Sequence, residues 1–308
     1  MAYLDKVDNQ KRFFRDFGMS MSVMHLGNTM VPSLFGDYWY KVCLEKIWSD
    51  FQNEITRSFP TKNTAISNDC PIWIMWWQGL DSETPPLVRC CLDSVEKHAG
   101  KHPIRIITKK NYQNYITLPE WIVEKFQKKY VSIQNLSDII RFALLRKWGG
   151  VWLDATIYLN NSFDVSMYDY SYYSAKNLNW QPALSVWSNK WAGFFTAGSK
   201  EMPLFEVMYD CFSAYWEKYD VLLDYFLIDL LMWSIYYNNE NIREVIDSVP
   251  ENNPNLYRLE ESFNRPADAF VPDSGEIFYK LSMKTHHDMF LENGEPTLYN
   301  KIVSPFFN

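Results

Sequence analysis

One run of residues constrains this chain more than any other, residues 136–159. Its first part carries Ile139, Ile140, Phe142, Ala143, Leu144 and Leu145, a broad apolar face at helical spacing. Ser137 is expected to cap the start of that helix by accepting an orphan backbone N–H. Arg146 and Lys147 fall in its last turn, where cations suit the helix dipole. Gly149 and Gly150 then stop it, because glycine takes the left-handed cap conformation cheaply. Residues 151–159 are apolar, β-branched and aromatic, and predict one buried strand.

Charges interrupt this apolar pattern at three points. Asp138 and Arg141 lie three apart, on one helix face beside the apolar stripe. Asp154 sits inside the predicted strand, where a carboxylate is costly unless it is paired, hydrogen-bonded or bound to a ligand. Singly, each is an ordinary cap, ion pair or strand-end acid. Together they mark a candidate site.

Residues 71–79 form a short apolar run closed by glycine and predict a first strand. A helix over 84–99, a strand over 104–108 and a helix over 118–129 follow, an order that predicts parallel, right-handed crossovers. In open α/β sheets ligands bind beyond the carboxyl ends of the strands. That makes Trp76, Trp77 and Gln78 candidates at the first strand end and Thr108 at the second. Further strands are expected near 172–175 and within 183–200, the latter stretch including Trp187. An amphipathic helix is expected over 203–219 and another from Asp224 to about residue 237. Asp224 suits a helix cap. Asp229, inside an apolar helical run, is expected to face a pocket. The remainder, 252–308, is loop-rich and holds Lys280, Lys284, His286, His287 and Asp288, either a solvated basic face or a phosphate-binding one. Before all this, residues 1–68 are a helix-rich lead-in, with one long helix over 38–59 and a polar linker over 63–70. Residues 11–17 mix bases with aromatics and suit either a packed amphipathic helix or an interfacial one.

Ser-Asp-x-x-Arg, a helix, Gly-Gly, an aromatic and a strand bearing Asp-x-Asp resembles the donor-site core of many sugar-nucleotide-dependent glycosyltransferases of the GT-A fold, including a mannosyltransferase-like group and the large clostridial glucosylating toxins. The version here, Gly149 to Thr156, more closely resembles the capsular polysaccharide synthesis protein family, with further matches from about Pro71 to about Lys284. The resemblance implies an α/β, Rossmann-like, mainly parallel sheet flanked by helices over residues 69–308, with 1–68 as a helical extension. It implies that Trp77 meets the uracil of a UDP-sugar and that Thr108 lies near base and ribose. Asp138 would hydrogen-bond donor-sugar hydroxyls, Arg141 hydroxyls or diphosphate oxygens, and Asp154 the ribose and a metal shell.

Where the wider group has a second, metal-binding acid, this chain has Thr156. A neutral hydroxyl is a weak ligand. Mn²⁺ or Mg²⁺ would then need Asp154 with Asp288 or His287, or would be held through the nucleotide. Transfer without a metal, with Lys and Arg meeting the charge, is the other option. The implied acceptor is a glycan, a lipid-linked oligosaccharide of a capsule or other surface polysaccharide, and the implied stereochemistry is retention. Two alternatives share the core: a toxin-like enzyme glycosylating a protein, and a degenerate scaffold that binds sugar nucleotides.

Composition narrows the setting. A net charge of −7 with no strongly basic stretch argues against nucleic acid as a partner. Five scattered cysteines (Cys43, Cys70, Cys90, Cys91 and Cys211) without zinc spacing suggest a reducing compartment. A polar N-terminus and the lack of a long apolar run predict a cytoplasmic protein, with peripheral membrane contact open.

Overall fold

The apolar runs assemble as parallel pairing requires. In the computed structural model, which describes residues 2–59, 64–163, 165–177, 189–200 and 202–307, β1 (Ile72–Met75) pairs in parallel with β2 (Ile104–Ile107) on one side and β3 (Gly150–Leu153) on the other. β6 (Phe195–Gly198) is antiparallel to β3, and β5 (Tyr172–Ser174) is antiparallel to β6. The order is β2-β1-β3-β6-β5, with four of the five strands pointing the same way. Helices α3 (Pro86–His98), α4 (Glu120–Gln127) and α5 (Ile133–Trp148) fill the crossovers. α6 (Pro203–Lys218), α7 (Leu227–Asn238) and α8 (Glu240–Ser248) follow the sheet. This is a mixed α/β architecture of the GT-A type.

The helix, glycine stop and strand of the central stretch form as expected. Gly149 caps α5 at φ 65°, its N–H bonded to Leu145 O, and Gly150 follows at φ 108°. Neither tolerates a side chain. A Cβ on Gly149 would lie 2.6 Å from Lys200 N, and one on Gly150 2.3 Å from Pro71 O. The glycine pair thus lets α5 turn straight into the sheet centre.

Two local expectations are corrected. Ser137 lies inside α5; the cap is Ser132, whose hydroxyl accepts from Asn135 N. The helix gains a turn because Ile133 and Leu136 continue its apolar spacing. Nor do residues 151–159 form one strand. The chain leaves the main sheet at Asp154, turns with Ile157 N bonded to Asp154 O, and enters β4 (Ile157–Leu159). β4 pairs antiparallel with β7 (Phe278–Lys280) in a separate two-stranded sheet over its own small core of Leu87, Cys91, Phe263 and Tyr279. Ile157, Leu159 and Phe278 stay in the main core while Tyr158 and Tyr279 face the small one, so the run is apolar on both faces throughout and reads as one strand.

The lead-in is longer and more folded than expected. α1 (Ala2–Met30) doubles back at Gly18, where φ is 77° and ψ 177°. Phe13 consequently stacks on His25 at 4.4 Å, a pair that a straight helix would hold roughly 18 Å apart. α2 (Pro32–Ile55) begins before residue 38 and ends before residue 59. Its buried face (Trp39, Cys43, Ile47, Phe51) joins the main core, and Trp39 Nε1 donates to Asp224 Oδ2 at 2.7 Å. The linker expected over 63–70 is anchored where described: Ile66 is buried and its N–H bonds Tyr170 O. On the outside, Met19, Val23, Leu26 and Met30 form a stripe along the second half of α1, and Leu34 and Tyr38 at the start of α2 are exposed as well, all six at least half exposed. Among the described residues no helix is long and apolar enough to cross a membrane. Trp187 lies outside the described residues.

Candidate active site

Arg141 is the centre of the site. It projects from the middle of α5, 5% exposed, and lies 5.0 Å over the Trp152 ring of β3. Its Nη1 meets Asp138 Oδ1 at 3.1 Å and its Nη2 meets Asp154 Oδ1 at 3.4 Å. One guanidinium therefore bridges the helix acid and the acid at the sheet end. Trp152 Nε1 donates to the same Asp154 oxygen at 3.0 Å. The pair is legible once noticed, because residues i and i+2 of a strand share a face.

Asp229, in the first turn of α7, accepts from Trp191 Nε1 at 3.1 Å. Gly193 brings the β6 approach against the arginine, since a Cβ there would meet Arg141 Nη1 at 3.0 Å and Ile228 Cδ1 at 3.1 Å. Burial pushes the Asp138 carboxyl up to about 7, against the pull of Arg141 and with a further push from Asp154 and Asp229. Burial likewise raises Asp229 to about 6, opposed by the Trp191 hydrogen bond and Arg141. Three carboxyls thus share one buried cation. Arg141 Nε is buried and makes no hydrogen bond. A polar ligand that donates to the acids and accepts from the arginine fits this imbalance.

The cluster adjoins a cavity of about 590 Å³. Asp229, Trp191, Gly193 and Phe194 line one side of it, and Asn252, Leu256, Tyr257 and Arg258 are on the wall from the C-terminal part. Asp229 is thus both partly buried and a lining residue of this cavity.

The other expected residues fall into three groups. At the end of β1, Trp76 has a buried indole N–H without a hydrogen bond. Trp77 packs against Tyr112 and Phe126 at 5.4 and 5.6 Å with part of its surface open, and Gln78 is exposed. At the end of β2, Thr108 Oγ1 accepts from Lys110 N, in a turn that Asn111 closes. On β7, Lys280 Nζ donates to Thr156 Oγ1 at 2.5 Å and Leu281 O at 2.9 Å, while Lys284, further on, approaches the Tyr225 hydroxyl.

His287 and Asp288 belong elsewhere. His287 sits between Phe263 and Tyr299 and faces Glu260 at 3.5 Å, and burial lowers its pKa. Asp288 pairs with His286 on the surface. Among the described residues no three of His, Cys, Asp and Glu are grouped so as to hold a metal ion. The hydroxyl of Thr156 already accepts from an ammonium. This donor set does not fit the divalent ion that the resemblance implied through Asp154, Thr156, His287 and Asp288.

A family model described as capsular polysaccharide synthesis protein matches residues 33–302. The chain belongs to the capsular polysaccharide synthesis protein family. The match takes in α2, the whole sheet, the Arg141 cluster and β7, so the site of this capsular synthesis protein lies wholly within it. No curated protein and no solved structure matches the chain. Membership points to a glycosyltransferase-like role in making a surface polysaccharide.

Proposed function

We propose that this protein is a glycosyltransferase that moves a sugar from a nucleoside-diphosphate donor, read as a UDP-sugar, to a hydroxyl of a growing surface glycan. The observation that carries this reading is the single buried Arg141 shared by Asp138 and Asp154 beside a cavity floored by Asp229. In the reaction the bond from the anomeric carbon to the β-phosphate oxygen breaks, and its electron pair leaves with the diphosphate. The acceptor oxygen bonds that carbon and releases its proton to the departing phosphate oxygen, which on the same face gives retention. Charge grows negative on the diphosphate and positive on the sugar ring, so groups fixed where those charges develop lower the barrier.

Asp138 and Asp229 suit sugar hydroxyls, as acceptors when ionised and as donors when protonated. Arg141 suits hydroxyl or diphosphate oxygens, and Asp154, held by Trp152 and Arg141, suits the ribose. The free indole N–H of Trp76 and the open face of Trp77 suit the base. The acceptor is read as lipid-linked, with the exposed apolar residues from Met19 to Tyr38 as the surface that approaches the membrane.

The test is a panel of UDP-, GDP- and TDP-sugars with the full chain, following thermal shift and slow donor hydrolysis. One donor is expected to bind and be hydrolysed, and Asp154→Asn to keep binding while losing about a hundredfold or more in turnover. If no nucleotide sugar binds, the transferase reading falls; binding by the parent chain without any hydrolysis replaces it with the scaffold reading.

A further inference from the structure

Lys280 stands beside the Arg141 cluster with a geometry of its own, and the role inferred for it rests on the transferase reading above. The ammonium is fixed at both ends. Its backbone N–H bonds Leu256 O, and the β4–β7 register puts Lys280 opposite Ile157, next to the Asp154–Thr156 turn. Its head donates to Thr156 Oγ1 and Leu281 O, both uncharged, and lies 5.7 Å over the Phe194 ring in the cavity wall. Among the described residues no carboxylate pairs with it. The ammonium is therefore oriented without a paired carboxylate, and its acceptor Thr156 lies two residues from Asp154 along the turn. A cation held only by neutral acceptors is an anion site in waiting.

We propose that Lys280 is the cation of the donor site: it binds the diphosphate opposite Arg141 and stabilises the leaving group, so that donor binding needs no divalent metal. Thr156 follows from this. A carboxylate at that position would pair with Lys280 and cancel the charge, whereas the hydroxyl aims the ammonium and leaves it positive. A divalent ion bound at Thr156 would sit against Lys280 and be repelled. The leaving pair of electrons ends on a diphosphate oxygen that accepts from Lys280. No further co-reactant enters.

The test is calorimetric titration of the full chain with UDP, GDP and TDP, in excess EDTA and again in excess Mn²⁺. One nucleotide is expected to bind with Kd values within about threefold of each other in the two conditions. Lys280→Met is expected to weaken it about tenfold or more, the loss of a charge-assisted hydrogen bond. Lys280→Arg, with its charge kept, is expected to bind better than the methionine variant. Thr156→Asp is expected to weaken binding in EDTA and to recover with Mn²⁺. Circular dichroism and melting curves verify that each variant folds. Binding by the parent chain only with Mn²⁺, or unchanged binding by a folded Lys280→Met, overturns the role of Lys280 and leaves the transferase reading standing. No binding of any nucleotide in either condition overturns the transferase reading itself.

Discussion

Replacing Asp138 by Asn isolates the electrostatic cost of the site. Burial raises this carboxyl from 3.8 to about 7, with Arg141 only partly offsetting it, and its side chain is 17% exposed. An acid with a raised folded-state pKa holds more protons folded than unfolded between those two values, so stability falls as pH rises from about 4 through 7. From about pH 5 to about pH 8 the two pKa values give a loss of about 2–3 kcal/mol from this one side chain. Asp229, raised to about 6, adds roughly 1.4 kcal/mol over the same range. Asp138→Asn removes the first contribution and keeps the second. Urea denaturation of parent and variant at both pH values is the assay. The stability difference is expected to move in favour of the variant by about 2–3 kcal/mol on going from the lower to the higher pH. Curves of unfolding free energy against pH that run parallel for the two proteins would refute the reasoning, because Asp138 would then titrate as an ordinary carboxyl.

Gly150→Ala forces a Cβ to within 2.3 Å of Pro71 O at φ 108°, and a loss of more than about 3 kcal/mol is expected; a soluble variant whose melting temperature is unchanged would contradict it. Trp39→Phe removes the N–H that Asp224 Oδ2 accepts in a buried contact between α2 and the loop before α7. A loss of about 1–3 kcal/mol in urea titration is expected, and no loss would mean that the lead-in helices stabilise the domain without this bond. Trp152→Phe keeps the ring under Arg141 and deletes one donor to Asp154. Donor hydrolysis is expected to slow severalfold with little change in donor binding or stability, as read by a turnover assay beside titration and a melting curve.

Much of this was legible because it depends on local pattern. The helix, the two glycines and the charges at 138, 141 and 154 stand in contrast to apolar neighbours, and that contrast survives folding. Asp229 stands out in its apolar run for the same reason. The break after Asp154 was not legible, because no glycine or proline marks it and Ile157, Tyr158 and Leu159 are as apolar as the strand before them. Only the partner strand, over a hundred residues later, draws them into a second sheet, with Ile157 and Leu159 still in the main core. The cap at Ser132 was missed because Ser137 stands beside a conspicuous acid. The tryptophans that hold Asp154 and Asp229 by their N–H groups, Trp152 and Trp191, carry no signal in the sequence, because an indole within an apolar run does not tell where its N–H is aimed. The distant Lys280–Thr156 contact was recorded only as two separate candidates, since no spacing rule joins residues on strands so far apart in sequence.

The three-residue turn from Asp154 to Thr156 has a mechanical consequence. It joins the end of β3, in the five-stranded sheet, to the start of β4, in the two-stranded ribbon, so Asp154 at the sheet end and the Lys280 ammonium on β7 are carried by different sheets. A ligand that touches both acts as a strut across the seam, and β7 should exchange its amide hydrogens more slowly when the site is filled. The C-terminal ribbon then reports occupancy of a site whose cavity is walled by residues outside it.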